Sequence, residues 1–265
     1  MKRWLAFLLA PLAAALWIAG SPSKSADRQE VDLALVLAVD ISNSMDPEEQ
    51  ALQREGFVEA FRGAEIHDAI RKGTLGKIAV VYMEWAGTAT QHVLVPWTVI
   101  ESSADAQAFA DRLAAGPIRR APRTSVAAAI DTSMMLLDGS NVEPIRQVID
   151  ISGDGANNQG RLVTQARDEA LARGVTINGL PIMLKRGGSW DIEHLDAYYR
   201  DCVIGGPGAF IIPIRERRHF AEAIRTKLVR EIAALPGEPF VQLAQAGPRA
   251  NCLSGEIQSD RWWRN

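Results

Sequence analysis

Cysteine and histidine are scarce in this sequence. Its two cysteines, Cys202 and Cys252, stand too far apart for a CxxC redox or zinc motif. The four histidines, His67, His92, His194 and His219, show no ligand spacing and read as structural or exposed residues. No basic run or stripe occurs, which argues against a nucleic-acid partner. Beyond the N-terminus no apolar run approaches the roughly 20 residues of a membrane helix. With 47% hydrophobic, 23% charged and 6% aromatic residues, wholesale disorder, collagen and coiled coil are also excluded. What remains is an ordinary globular chain of 265 residues, long enough for one large α/β domain or two small ones.

The N-terminus has the form of an export signal. Lys2 and Arg3 precede an apolar stretch from Trp4 to Ala19, and Ser23 and Ser25 suit a signal-peptidase site cut after Ser25. No cysteine follows the stretch, so a lipoprotein is not expected. A retained anchor is the alternative, although the stretch is short for a span. Residues 1–25 are therefore assigned as signal peptide, and the mature chain is expected in the periplasm or cell envelope of a bacterium, without a membrane span of its own. Removing Lys2, Arg3 and Lys24 leaves 26 basic against 32 acidic residues, so the mature net charge is −6 rather than −3. In an oxidising compartment Cys202 and Cys252 can pair, and closing that loop would stabilise the fold by up to ~4 kcal/mol. Otherwise one is a buried thiol and the other a tail thiol.

From residue 31 onward strand and helix patterns alternate. Leu33 to Val39 is an unbroken apolar run ending in Asp40, as in a strand buried on both faces. Asp46-Pro47-Glu48-Glu49 opens a helix with a cap, a first-turn proline and first-turn acids. It carries Leu52, Phe57 and Phe61, towards Ile66 and Ile70. Strands follow at 78–83 and 91–97, then a short helix near 103–115, a Pro- and Arg-rich loop at 116–123 and a helix over 125–137. A strand at 146–151 enters the loop 152–160. The pattern continues with a helix at 161–173, a strand at 175–182, a short helix near 192–201, a strand at 209–214 and a last helix at 216–234. This order predicts an α/β fold: a doubly wound, mostly parallel sheet flanked by helices, in one domain over 26–235. Residues 236–265, with scattered prolines and glycines and Trp262-Trp263, are expected to form an irregular C-terminal tail.

In such a sheet, ligands collect beyond the carboxyl ends of the strands. Three segments place oxygen ligands there: Asp40-Ile-Ser42-Asn-Ser44, Thr124 ahead of a helix, and Asp154-Gly155. Two carboxylates and three hydroxyls suit a hard cation, Mg²⁺ or Mn²⁺, rather than zinc. Neutral hydroxyls leave the ion much of its charge and a position open to an outside carboxylate.

These three pieces, in this order, resemble the von Willebrand factor type A (VWA) domain and its metal-ion-dependent adhesion site. The resemblance covers about residues 30–234. It implies that Ser42, Ser44 and Thr124 approach the metal, that Asp40 and Asp154 bind it directly or through water, and that a protein partner supplies a Glu or Asp. The phrases Val148–Gly160 and Tyr198–Phe210 resemble, more narrowly, an uncharacterised family of secreted bacterial proteins with this domain. Two positions depart from the usual pattern: Arg123 stands where glycine is common, and Gly153 where threonine is frequent.

Around the set, Trp85, Asn157 and Asn158 are expected to line a partner-binding rim, with Glu84, Trp97 and Gln159 nearby. The alternatives are a packed aromatic for Trp85 and turn roles for the amides. Asp150 reads as a hydrogen-bonded polar group in or beside the core, and Arg217-Arg218 as a solvated face. No general base is evident, so a binding module is favoured over an enzyme. A Mg²⁺-dependent phosphatase-like hydrolase with Asp40 as nucleophile is the alternative, but Ser42 and Asn158 stand where such enzymes carry acids. A structural subunit of an envelope complex, with a vestigial metal site, is the other.

Overall fold

The computed structural model describes residues 28–184, 194–233 and 249–264, apart from the side chains of Trp262 and Trp263. The expected signal segment over 1–25 lies outside the described residues, as do 185–193 and most of the expected tail before residue 249. The elements are β1 (Gln29–Asp40), α1 (Pro47–Arg62), α2 (Ala64–Arg71), β2 (Ile78–Trp85), β3 (Gln91–Ile100), α3 (Ser103–Ala114), α4 (Val126–Asp138), β4 (Val142–Gly153), α5 (Val163–Ala172), β5 (Thr176–Pro181), α6 (Leu195–Tyr198), α7 (Phe220–Ala233) and α8 (Ser254–Arg264). A π-helical turn, Tyr199–Val203, extends α6, and a 3₁₀ turn, Arg217–His219, leads into α7.

The sheet order is β3-β2-β1-β4-β5. β1 pairs in parallel with both β2 and β4, β4 pairs in parallel with β5, and β3 is an antiparallel edge on β2. Pro96 is tolerated in β3 because an edge strand has one side without a ladder, and the register shifts near Tyr82 ease its fit. β1 is buried from Val31 to Asp40, which explains its unbroken apolar run. Alternation divides its side chains between two cores. Leu33, Leu35 and Leu37 pack with Phe57, Phe61, Phe109 and Phe220 under α1, α2, α3 and α7. Ala34, Val36 and Ala38 pack with Val126, Ile130 and Val163 under α4 and α5. No helix among the described residues is long and apolar enough to cross a membrane.

Local chemistry sets the helix ends. The Asp46 carboxylate accepts from Glu49 N–H at 2.8 Å while Glu49 accepts from Asp46 N–H at 2.9 Å, a capping box ahead of Pro47. The apolar pattern running on from Phe61 to Ile70 breaks at Gly63, which is extended and ends α1. The segment expected as a strand at 209–214 forms only isolated bridges, Gly179↔Ile211 and Ile182↔Ile214, because Pro213 lacks the N–H a ladder needs. The expectation of an irregular tail is corrected at its end, where α8 is helical. Eleven residues make a marginal helix in water, so tertiary contacts, described below, hold it.

Candidate metal centre

The chain leaves β1 for β2 and β3 on one side and returns to β4 and β5 on the other, so winding reverses between β1 and β4. Their carboxyl ends are adjacent, with Val39 opposite Ser152, and the flanking loops diverge from that point. Asp40 ends β1 and Gly153 ends β4.

Three loops meet there and are bonded to one another. Asn43 N–H donates to Ala121 O at 2.8 Å, and Ala121 N–H to Ile41 O at 3.0 Å, joining the Ser42 loop to the Thr124 loop. Asn158 N–H donates to Thr124 O at 2.8 Å, and Thr124 N–H returns a bond to Asn158 Oδ1 at 2.9 Å. Ser125 caps α4 and donates its hydroxyl to Gln159 O at 2.8 Å. Thr124 is thereby fixed between α4 and the loop that carries Asp154.

The oxygen donors form a chain of short contacts. Ser42 N–H donates to Asp40 Oδ1 at 2.6 Å, the Ser42 and Ser44 hydroxyls lie 2.7 Å apart, and Ser44 Oγ donates to Asp154 Oδ1 at 2.6 Å. The Thr124 hydroxyl borders Gly155, 3.7 Å from where a Cβ would stand. Asp40 is wholly buried, and its Oδ2 has no hydrogen-bond partner. Burial raises its pKa well above the usual carboxylate range, and the neighbouring Asp154 charge adds to that. The Ser42 hydrogen bond and the nearby Asp154 backbone dipole oppose the rise without cancelling it. A cation placed here would relieve both destabilising effects. The donors are all hard oxygens, two carboxylates and three hydroxyls, so the set fits Mg²⁺ or Mn²⁺. Among the described residues no group of three or more His, Cys, Asp or Glu is arranged to hold a metal; this set differs in relying on hydroxyls.

Gly153 explains one departure from the VWA pattern. A Cβ there would stand 2.8 Å from Asp40 Oδ2 and 2.9 Å from the Tyr199 hydroxyl, so hydrogen is the side chain the space accepts. Arg123 accounts for the other, since its φ of 73° is one a glycine adopts without strain.

The rim expected from sequence is partly corrected. Trp85 is fully buried in the core under α4, because β2 is covered on both faces to its last residue. Asn157 is buried as well: its Oδ1 accepts from Ala127 N–H at 3.0 Å, and its Nδ2 donates to Arg161 O and to Glu256. Asn158 is half-buried and serves Thr124. Trp97 packs against the same core as Trp85 and donates to Leu136 O at 3.0 Å.

Several supports had no short-range signal. Glu84 is buried and pairs with the buried Arg54, while Arg119 approaches its other oxygen at 3.4 Å. Beside this pair a cavity with room for about one water is lined by Asp40, Gln50, Gln53 and Arg119. Tyr198 accepts from Asn157 N–H at 3.2 Å, and Tyr199 faces Gly153. Cys202, three residues on, is disulfide-bonded to Cys252 just ahead of α8.

The sequence matches, over residues 30–236, the family described as "Protein of unknown function (DUF1194)". Among curated proteins none matches it. Among solved structures it is similar to proximal thread matrix protein 1 from the mussel byssus, with TM-score 0.57 and 10% identity over 78% of this chain and 49% of that one. It is similar also to the pilus adhesin SpaC from Lactobacillus rhamnosus GG, with TM-score 0.59 and 11% identity over 76% of this chain and 31% of the adhesin. A von Willebrand factor type A protein from Catenulispora acidiphila gives TM-score 0.52 and 14% identity over 76% and 43%. This chain thus spans less than half the length of each. The match over most of its length places the chain in the DUF1194 family, and its fold is that of the VWA domain.

Proposed function

We propose that this protein is an exported, divalent-cation-dependent binding module of the adhesion type, with Asp40, Ser42, Ser44, Thr124 and Asp154 as the metal-binding set. The observation that carries the reading is the hydroxyl chain from Ser42 through Ser44 to Asp154, set beside a buried Asp40 oxygen that lacks a partner. When bound, Mg²⁺ or Mn²⁺ would supply a positive charge able to accept an outside carboxylate. The chain's own residues hold the three loops together, orient the hydroxyls and keep Asp40 out of water. The partner is a protein that contributes a Glu or Asp side chain. Similarity to a pilus adhesin and to a byssal matrix protein supports a binding role. The export segment over residues 1–25, and residence in the periplasm or cell envelope, belong to the same proposal.

Capture of a Glu-rich probe peptide on the immobilised protein tests this reading. Capture is expected in Mn²⁺ or Mg²⁺ and is expected to be lost in EDTA and with Asp154→Ala. Capture indifferent to EDTA, or none in either metal, would overturn it.

A further inference from the structure

The C-terminal helix α8 grips the loop that carries Asp154 without contributing a ligand. Glu256 Oε1 accepts from Asn157 Nδ2 at 2.8 Å. Gly255 presses so closely on the same residue that a Cβ would stand 2.1 Å from Asn157 O. Arg123, next to Thr124, donates to Ser259 Oγ at 3.3 Å. On the other side of the loop, Tyr198 receives Asn157 N–H, and Cys202 in the adjoining π-helical turn is bonded to Cys252. Ala250 N–H donates to Asp201 at 2.8 Å, a second tie between the same two segments. Asn157 is therefore clamped between the π-helical turn and α8, and its Oδ1 fixes Ala127 N–H in the first turn of α4, just after Thr124.

We propose that α8, latched by the Cys202–Cys252 disulfide, is a positioning element for this centre, acting through Gly255 and Glu256 on Asn157 to set the Asp154 loop against Thr124. Its effect on metal affinity rests on the metal-site reading above; its effect on loop order does not. A helix this short depends on such ties to form, so the disulfide contributes to the site rather than to the tail alone. Supports of metal ligands are commonly worth tenfold to a hundredfold in affinity.

Glu256→Ala, with Glu256→Gln as the conservative control, separates these effects. In EDTA, amide hydrogen exchange at Ala127, Asn157 and Asn158 is expected to quicken about tenfold in Glu256→Ala, with β1 amides unchanged as a check on folding. Calorimetric Mn²⁺ affinity is expected to fall at least ~tenfold in the same variant, and Glu256→Gln, which keeps the acceptor, to stay near wild type in both. Wild-type exchange and wild-type affinity in Glu256→Ala would overturn the proposal. If the wild-type protein binds no Mn²⁺, the metal-site reading fails, and the exchange rates alone decide whether α8 orders the loop.

Discussion

Glu231 places a pH-dependent liability in the core. Lys227 and Glu231 on α7 are both buried and paired, and Lys227 Nζ also lies 2.6 Å from Asp150 Oδ1 on β4. Asn178 Nδ2 donates to Glu231 at 2.8 Å, and the half-buried Arg146 donates to the Glu231 carbonyl at 3.0 Å. One lysine against two carboxylates leaves this cluster an excess negative charge away from water. Burial, reinforced by Asp150, raises the Glu231 pKa from 4.5 to about 7. The folded state thus holds a proton that the unfolded chain releases at lower pH. Its contribution to stability is fully present below about pH 4.5, is lost as pH rises to about 7, and is flat beyond. Between pH 5 and pH 8 this group alone accounts for about 2 to 3 kcal/mol. Burial raises Asp150 and Asp40 too, so their slopes have the same sign. Carboxylates held low by arginine, such as Asp138 and Glu169, titrate below this window. Urea unfolding followed by tryptophan fluorescence in EDTA, at unit pH steps, measures the slope. Glu231→Gln should make it shallower, leaving the share from Asp150 and Asp40, and should be more stable than wild type at pH 8. Stability rising with pH in the wild type, or an unchanged slope in Glu231→Gln, would refute the reasoning.

Other variants probe the supports of the site. Gly153→Ala puts a methyl against Asp40 Oδ2 and Tyr199. It should cost about 1–3 kcal/mol by overpacking and, with every ligand retained, weaken Mn²⁺ affinity at least tenfold in calorimetry; full affinity would show that Asp40 is free to shift. Glu84→Ala leaves Arg54 buried without its carboxylate and should cost about 3–5 kcal/mol in urea unfolding. A loss below about 1 kcal/mol would mean that water reaches Arg54 and compensates.

The parts legible in sequence are those specified locally. The apolar run of β1 and the cap, proline and first-turn acids of Asp46–Glu49 each depend on residues a few positions apart, so order and fold class follow from pattern. Asp40, Ser42 and Ser44 could be grouped because a strand end places them together. Burial by distant chain was less legible. Trp85 is expected at the rim because it ends a strand, yet it is buried in the core it shares with α4. Asn157 is expected at the same rim because it lies in a strand-end loop, yet it is buried and joins α4, Tyr198 and Glu256. The helix α8 had no signal of its own, since its stability comes from a disulfide and two loops far away in sequence. Asp150 was legible as a core polar group, but its partner Lys227 was not, because pairing a strand with a helix 77 positions on requires the sheet to be assembled.

The most direct test is calorimetric titration of the protein with Mn²⁺ and Mg²⁺, with and without acetate as a substitute for the partner's carboxylate, alongside Asp154→Ala. Saturable binding at one site, strengthened by acetate and lost in Asp154→Ala, is the predicted result. No heat of binding in either metal even with acetate, or equal binding by Asp154→Ala, would contradict a metal centre at these strand ends.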